Sequence, residues 1–333
     1  MHTKISLVEA ALERLDEHAR DCRLCPRECG VDRTAGERGY CGAGDSLRIS
    51  HCLLHFGEEP VLSGVSDCGR DGTGPTSLRK GSGTIFFSGC HLRCVYCQNY
   101  QISQQGIGED RTADDLARAM LDLEAQGAAN INLVSPTHFL LPLLESLRIA
   151  LDKGLSLPVV YNCSGYESDR VLHGLEGVVD IYLPDLKYAS PILSGTLSGA
   201  PDYFETAKAA LTEMYCQQPV LETDSEGMAL RGLIVRHLVL PGHVEDSFRV
   251  LDWLGRDLSL SVGISLMSQY LPCFEAPQGL NRALTAEEYL KAQAFAESLG
   301  FESLFVQPEP FVRDEHLNPD FTREKPFDWR ELK

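Results

Sequence analysis

Residues 83–97 read Gly83-Thr84-Ile85-Phe86-Phe87-Ser88-Gly89-Cys90-His91-Leu92-Arg93-Cys94-Val95-Tyr96-Cys97. The first part, Gly83 to Ser88, is β-branched and aromatic and reads as a buried strand. Cys90, Cys94 and Cys97 follow at once, so the thiols open a loop at that strand's C-terminal end. Open α/β sheets and barrels place their active sites at this edge. Three thiolates can hold three irons of a [4Fe–4S] cube and leave the fourth iron without a protein ligand. Such an iron can do chemistry on a bound ligand instead of only passing electrons. The competing readings are a zinc knuckle and a chance cluster of thiols. Zinc sites favour paired C-x2-C knuckles with a fourth Cys or His, a place that His91 could take.

Downstream, apolar strand-like runs alternate with helical patterns. Strands are expected at Ile131–Ser135, Pro158–Asn162, Val178–Leu183, Gly232–Leu240 and Leu260–Met267, with a seventh run at Ser303–Val306. Helices are expected near Ala113–Gln126, Phe139–Lys153, Tyr203–Gln217, Val244–Leu254 and Ala286–Leu299. Repeated βα units imply a parallel sheet with right-handed crossovers, in a full or partial barrel. This organises the chain as an N-terminal helix and Cys-rich extension (1–80), an α/β unit (81–306) and a polar, Pro-punctuated C-terminal tail (307–333), expected to wrap the surface.

Composition narrows the function classes. The net charge of −18 argues against a nucleic-acid backbone as main partner, because phosphate binding needs local basic surface. Arg70, Arg79 and Lys80 beside the Gly-rich stretch 64–83 read as a solvated loop. No apolar run approaches the length needed to span a bilayer. The N-terminus places Ile5, Val8, Leu12 and Leu15 on one face of an amphipathic helix and carries no signal-peptide pattern. A cytoplasmic setting is therefore expected, with the 12 cysteines reduced and several bound to metal.

The spacing C-x3-C-x2-C, with Tyr96 before the last cysteine, resembles the signature of the radical S-adenosylmethionine (SAM) superfamily. The resemblance implies a partial (β/α)6 TIM-like barrel with an N-terminal Cys/Gly-rich extension; periodicity alone implies only parallel α/β. It also implies that the open iron of the cluster chelates SAM. One electron then cleaves the sulfur–C5′ bond, and a 5′-deoxyadenosyl radical abstracts hydrogen from substrate.

The later strand ends resemble the glycyl-radical-enzyme activating subgroup, and in particular the pyruvate formate-lyase activating enzyme paralogues. Asp185-Leu186-Lys187 matches that subgroup's Asp-x-Lys motif, and Arg236 followed by apolar residues and Pro241-Gly242 matches its next strand. Asn99 matches as well, with Gln98 in place of a usual histidine. The resemblance makes Asp185, Lys187 and Arg236 candidates for SAM and substrate-backbone contacts. A plain charge pair at a strand end is the structural reading of Asp185 and Lys187. His237, alternating with Arg236, reads as a satisfied core histidine. Ser135-Pro136-Thr137-His138 stands where many members carry Gly-Gly-Glu, leaving Thr137 to accept from the SAM ammonium. Asn162 and Ser164 offer polar groups to ribose, or simply cap a strand. The subgroup's histidine after the sixth strand is replaced by Ser268-Gln269-Tyr270. No residue is assigned a catalytic role.

A second set, Cys22, Cys25, Cys29 and Cys41, has the spacing C-x2-C-x3-C-x11-C. Four thiolates suffice for a zinc ion or a second iron–sulfur cluster, and spacing does not choose between them. Unliganded buried thiols are the remaining alternative. Similar Cys-Pro-Arg segments accompany the paralogues just named. Glu58-Glu59-Pro60 reads as a solvated acidic turn near the mouth of the site.

The function expected is therefore a radical SAM enzyme that takes hydrogen from a substrate, a glycine of a partner enzyme being one candidate. A small molecule or RNA is the alternative substrate. An iron–sulfur or zinc-binding adaptor with no reaction of its own is the reading from another class. The expected electron donor is a flavodoxin or ferredoxin.

Overall fold

The structure, a computed structural model, describes residues 2–64, 80–307 and 318–327. Arg70, Arg79 and Cys68 lie outside the described residues.

The N-terminal helix α1 (His2–Leu15) buries Val8, Ala11 and Leu15. Strand β1 (Leu47–His55), the short helix α2 (Pro60–Ser63) and strand β2 (Ser82–Phe87) follow. After the cysteine loop come α3 (Tyr100–Ser103), β3 (Glu109–Arg111), α4 (Ala113–Ala125), β4 (Ile131–Val134) and α5 (Leu140–Asp152). Strand β5 (Val159–Cys163), α6 (Asp169–Gly174), β6 (Ile181–Pro184), α7 (Pro191–Ser198) and α8 (Tyr203–Gln217) come next. The chain continues with β7 (Glu222–Thr223), β8 (Ala229–Leu238), α9 (Val244–Trp253), β9 (Gly263–Met267), α10 (Ala286–Leu299) and β10 (Ser303–Val306). Helix α4 begins in a capping box, where Thr112 accepts from the Asp115 amide and Asp115 answers the Thr112 amide; α10 repeats it with Thr285 and Glu288.

The sheet order is β10-β9-β8-β6-β5-β4-β2-β1-β3, with β7 paired to β8. The neighbours from β2 through β10 are parallel, whereas β1 is antiparallel to both β2 and β3. The architecture is thus an α/β partial barrel, open between its two edges, β10 and β3; the βα alternation implies its parallel order and the family resemblance its partial barrel.

Strand alternation sorts the core into two layers. Ile131, Leu133, Tyr161, Tyr182, Leu233 and Val235 face the helices. Val160, Ile181, Leu183 and Ile234 face inward and pack with Leu62 of α2, which fills the barrel floor. The register carries that inward face up to Asn162 on β5 and Arg236 on β8, the latter bridged to Asp185 past the end of β6. The polar residues picked from the sequence at these strand ends therefore share one rim.

The described part of the tail does more than wrap the surface. Phe321 is 1% exposed and packs with Phe86 and Ile102, its ring 5.3 Å from that of Phe86. Phe327 lies 5.7 Å from Phe86 and stacks at 4.4 Å on His55. Phe86 alternates with the helix-facing Ile85 and Phe87, so the segment covers the inner face of the sheet at the β1–β2 pair.

Candidate functional site

The loop after β2 carries the three cysteines, and each sulfur accepts a hydrogen bond. The Leu92 amide donates to Cys90 Sγ at 3.4 Å, Ser198 Oγ to Cys94 Sγ at 3.0 Å, and Ser103 Oγ to Cys97 Sγ at 3.3 Å. All three cysteines are free of disulfides. Burial pushes the Cys90 thiol up to about 11 and Cys97 to about 12, each further raised by the charge of Cys94. Thiols so placed ionise when a metal takes the proton's place.

Lys187 faces this loop. Its charge acts on both Cys90 and Cys97 to favour their thiolates. Lys187 Nζ donates to Asp185 Oδ2 at 2.6 Å, with the two side chains 20% and 24% exposed. Burial lowers the Lys187 ammonium, but the Asp185 carboxylate, with Cys94 and Tyr96 beside it, carries it well above its ordinary value. The turn holding this pair is fixed from behind. Tyr203 OH accepts from the Lys187 amide at 3.0 Å and donates toward the carbonyls of Ser164 and Asp185. Gly165, at φ +74°, lets the two turns touch, since a Cβ there would sit 2.1 Å from the Asp185 carbonyl.

Arg236 lies on the same rim but is already engaged. Its Nε donates to Glu59 Oε1 at 2.7 Å and its Nη2 to Glu59 Oε2 at 2.6 Å and to Glu58 Oε2. Asn132 Nδ2 adds a bond to Glu58 Oε1 at 3.0 Å. This corrects the expected solvated acidic turn. The Glu58 and Glu59 side chains are 7% and 5% exposed, because α2 turns inward and brings them onto the cation. Burial pushes the Glu59 carboxyl up, and the charge and hydrogen bonds of Arg236, with Ser265, more than offset it, leaving the group below its ordinary value.

The other expected residues divide. Asn162 is buried at the end of β5 on the inward face. Ser164 lies just beyond, with Oγ 3.3 Å from His91 Nε2. Thr137 is fully buried; its hydroxyl donates to Glu167 Oε2 at 2.8 Å and accepts from Tyr161 OH at 3.0 Å, on the helix-facing side. His237 is a partnered core histidine, with Nδ1 2.6 Å from the Leu186 carbonyl and Nε2 2.8 Å from Ser247 Oγ. Tyr270 donates to the Leu280 carbonyl at 2.7 Å and packs its ring 5.9 Å from Tyr96.

Residues 84–213 match the model of the Radical SAM superfamily. The chain is also 31% identical over 318 residues to the uncharacterized protein MJ0674 of Methanocaldococcus jannaschii, covering 91% of this chain and 82% of that protein. The chain belongs to the radical SAM superfamily. A second protein of the same organism, MJ0808, is 25% identical over 266 residues, covering 74% of this chain and 71% of its own. Two solved structures are similar at TM-scores of 0.43 and 0.44: Streptococcus suis SuiB, 12% identical, and methylornithine synthase (PylB), 13% identical. The matches cover 68% and 73% of this chain, and 48% of the SuiB chain and 76% of the PylB chain.

The radical SAM superfamily implies a [4Fe–4S] cluster and SAM, and the loop fits the cluster: three free thiols, each with its own hydrogen-bond donor, within reach of the Lys187 charge. Among the described residues no three Cys, His, Asp or Glu side chains group as a single ion would need. A cube instead takes each cysteine on a separate iron. No helix among the described residues is long and apolar enough to cross a membrane.

The donors Ser198 and Ser103 and the carboxylates Glu58 and Glu59 were not identified from sequence as site residues. Only Glu58-Glu59, an acidic pair next to a helix-starting proline, left a local signal.

Proposed function

We propose that this radical SAM enzyme takes a hydrogen atom from a partner protein, with a glycine of a glycyl-radical enzyme as the first candidate. The observation that carries the reading is the Asp185–Lys187 pair beside the cysteine loop, in the position of the activating subgroup's Asp-x-Lys motif. When bound, the reduced cluster and SAM supply one-electron cleavage of the SAM sulfur–C5′ bond; the protein positions the reactants and excludes water. Cys90, Cys94 and Cys97 hold the irons. Lys187 pairs with the SAM carboxylate, held in place by Asp185. Asn162 and Ser164 meet the ribose hydroxyls. Arg236, bound by Glu58 and Glu59, anchors α2 under the rim. Cys22, Cys25, Cys29 and Cys41 bind a second metal centre, zinc or iron–sulfur. A flavodoxin or ferredoxin supplies the electron.

A small-molecule substrate is the second reading, favoured by Phe321 and Phe327 covering the inner face at the β1–β2 pair. Anaerobic reconstitution with iron and sulfide, then dithionite and SAM, should yield 5′-deoxyadenosine, and Cys94→Ala should abolish it. Mixing with glycyl-radical enzymes should give a glycyl EPR signal. Continued 5′-deoxyadenosine formation with no signal from several such proteins would remove the glycine reading and leave the small molecule.

A further inference from the structure

The N-terminal cysteine segment meets the radical SAM loop at Cys41. The Cys90 amide donates to the Cys41 carbonyl at 3.3 Å. Gly89, at φ +86°, permits the approach, since a Cβ there would sit 2.5 Å from that same carbonyl. Arg27 adds a second tie, donating from Nε to the His91 carbonyl at 3.0 Å and from Nη2 to the carbonyl of Ser198, whose hydroxyl bonds Cys94. A cavity of about 320 Å³ opens between the two elements, lined by Cys41 on one side and Ser88, Gly89 and Ser103 on the other.

Two features of the N-terminal cysteines support the second metal centre proposed above. Gly39 leaves open the space between two sulfurs: a Cβ there would lie 2.9 Å from Cys29 Sγ and 3.6 Å from Cys41 Sγ. Arg33, 6% exposed, donates from Nη2 to Cys41 Sγ at 3.7 Å, and its Nε has no partner. The other hydrogen bonds of Arg33 go to the carbonyls of Gly44 and His138, neither of them an anion. A buried guanidinium next to a thiolate-ligated centre gains the negative charge that it otherwise lacks.

We infer that this centre is a redox-active iron–sulfur cluster that relays electrons to the Cys90–Cys94–Cys97 cluster. The inference rests on the second metal centre proposed above and chooses its chemistry. Cys29 is exposed, whereas Cys41 is buried and touches the radical SAM loop, so the set has a solvent end and a cluster end. With Arg33 buried, residues 20–38 present four arginines against four acidic residues in a chain of net charge −18, which makes this approach less acidic than the chain as a whole and the more open to an acidic donor. One electron leaves a flavodoxin- or ferredoxin-class donor, enters the second cluster and passes to the first. The donor is oxidised by one electron, and no atom or proton moves.

The test is metal analysis and EPR of the reconstituted full chain, beside Cys29→Ala and a Cys22→Ala/Cys25→Ala double variant. Two cubes predict about eight irons per chain in the wild type and about four in the variants. Full reduction of the wild type should give EPR signals broadened by interaction between neighbouring clusters, and the variants a single unbroadened signal. SAM cleavage driven by a reduced flavodoxin-class protein should fall by a larger factor in the variants than dithionite-driven cleavage does. This assay needs no partner substrate, so it stands apart from the glycine reading. Zinc together with four irons would overturn the relay and leave the second centre. Four irons and no other metal would overturn both. Full protein-driven cleavage in the variants would also sink the relay. If the variants fail to fold, the wild-type iron content and broadening decide.

Discussion

Ser198 Oγ donates to Cys94 Sγ at 3.0 Å, placing the end of α7 against the middle ligand of the cysteine loop. The same hydroxyl lies 2.9 Å from Tyr188 OH, which in turn donates to Tyr96 OH at 2.7 Å. A hydrogen bond to a cluster sulfur favours the more negative, reduced state, so it raises the reduction potential. Ser198→Ala should keep the cluster and lower its potential by on the order of 50 mV, the one-electron equivalent of about one hydrogen bond. EPR-monitored redox titration checks this. An unchanged potential would show that the contact is packing only.

Lys187 is a cation whose charge acts on Cys90 and Cys97. Lys187→Gln removes the charge with little change in volume. Iron content and cluster absorbance should be retained, while SAM binding weakens about 10- to 100-fold, measured by equilibrium binding to the reconstituted protein. Unaltered SAM affinity would remove Lys187 from the SAM site.

Arg236→Met leaves Glu58 and Glu59 buried without their cation. The expected loss is about 3–5 kcal/mol near neutral pH, read from denaturant unfolding. The pH dependence follows from Glu59, whose carboxyl Arg236 holds below its ordinary value. In the wild type this contribution is fully present above the unfolded carboxylate pKa and is lost as pH falls through the depressed folded value. In the variant, burial acts unopposed and the Glu59 carboxyl takes up a proton more readily. The stability gap should therefore be larger at about pH 7.5 than at about pH 5. A gap that does not vary with pH would contradict a charge-based role.

Phe321→Ala empties a fully buried site against Phe86 and Ile102. It should cost about 3–5 kcal/mol while leaving the iron content intact, as measured by thermal or denaturant unfolding. A loss under about 1 kcal/mol would mean that the segment is only loosely seated.

The cysteine loop, its strand and the βα alternation were legible because each is written in local spacing: C-x3-C-x2-C, and apolar runs of period 2 or 3.6. Helices Tyr203–Gln217 and Ala286–Leu299 carry clear periodicity and occur over the expected residues. Helix α7 was not expected. Pro191-Ile192-Leu193-Ser194-Gly195-Thr196-Leu197-Ser198 has weak helix formers, and packing of Leu197 and Ser194 overrides them. Glu58 and Glu59 read as solvated for a similar reason: two adjacent acids usually are, and nothing within ten residues announces Arg236.

The sequence by itself determined the cysteine loop proposed to hold the cluster and the parallel α/β order, since a thiol's spacing and a strand's period are properties of neighbouring residues. Only the tertiary structure decided which groups meet those elements. Ser198 reaches Cys94 across 104 residues, Arg236 reaches Glu59 across 177, and Cys41 meets Cys90 because Gly89 has no side chain to hold them apart. Such partners are set by how strands and loops pack, and their spacing along the chain bears no trace of it.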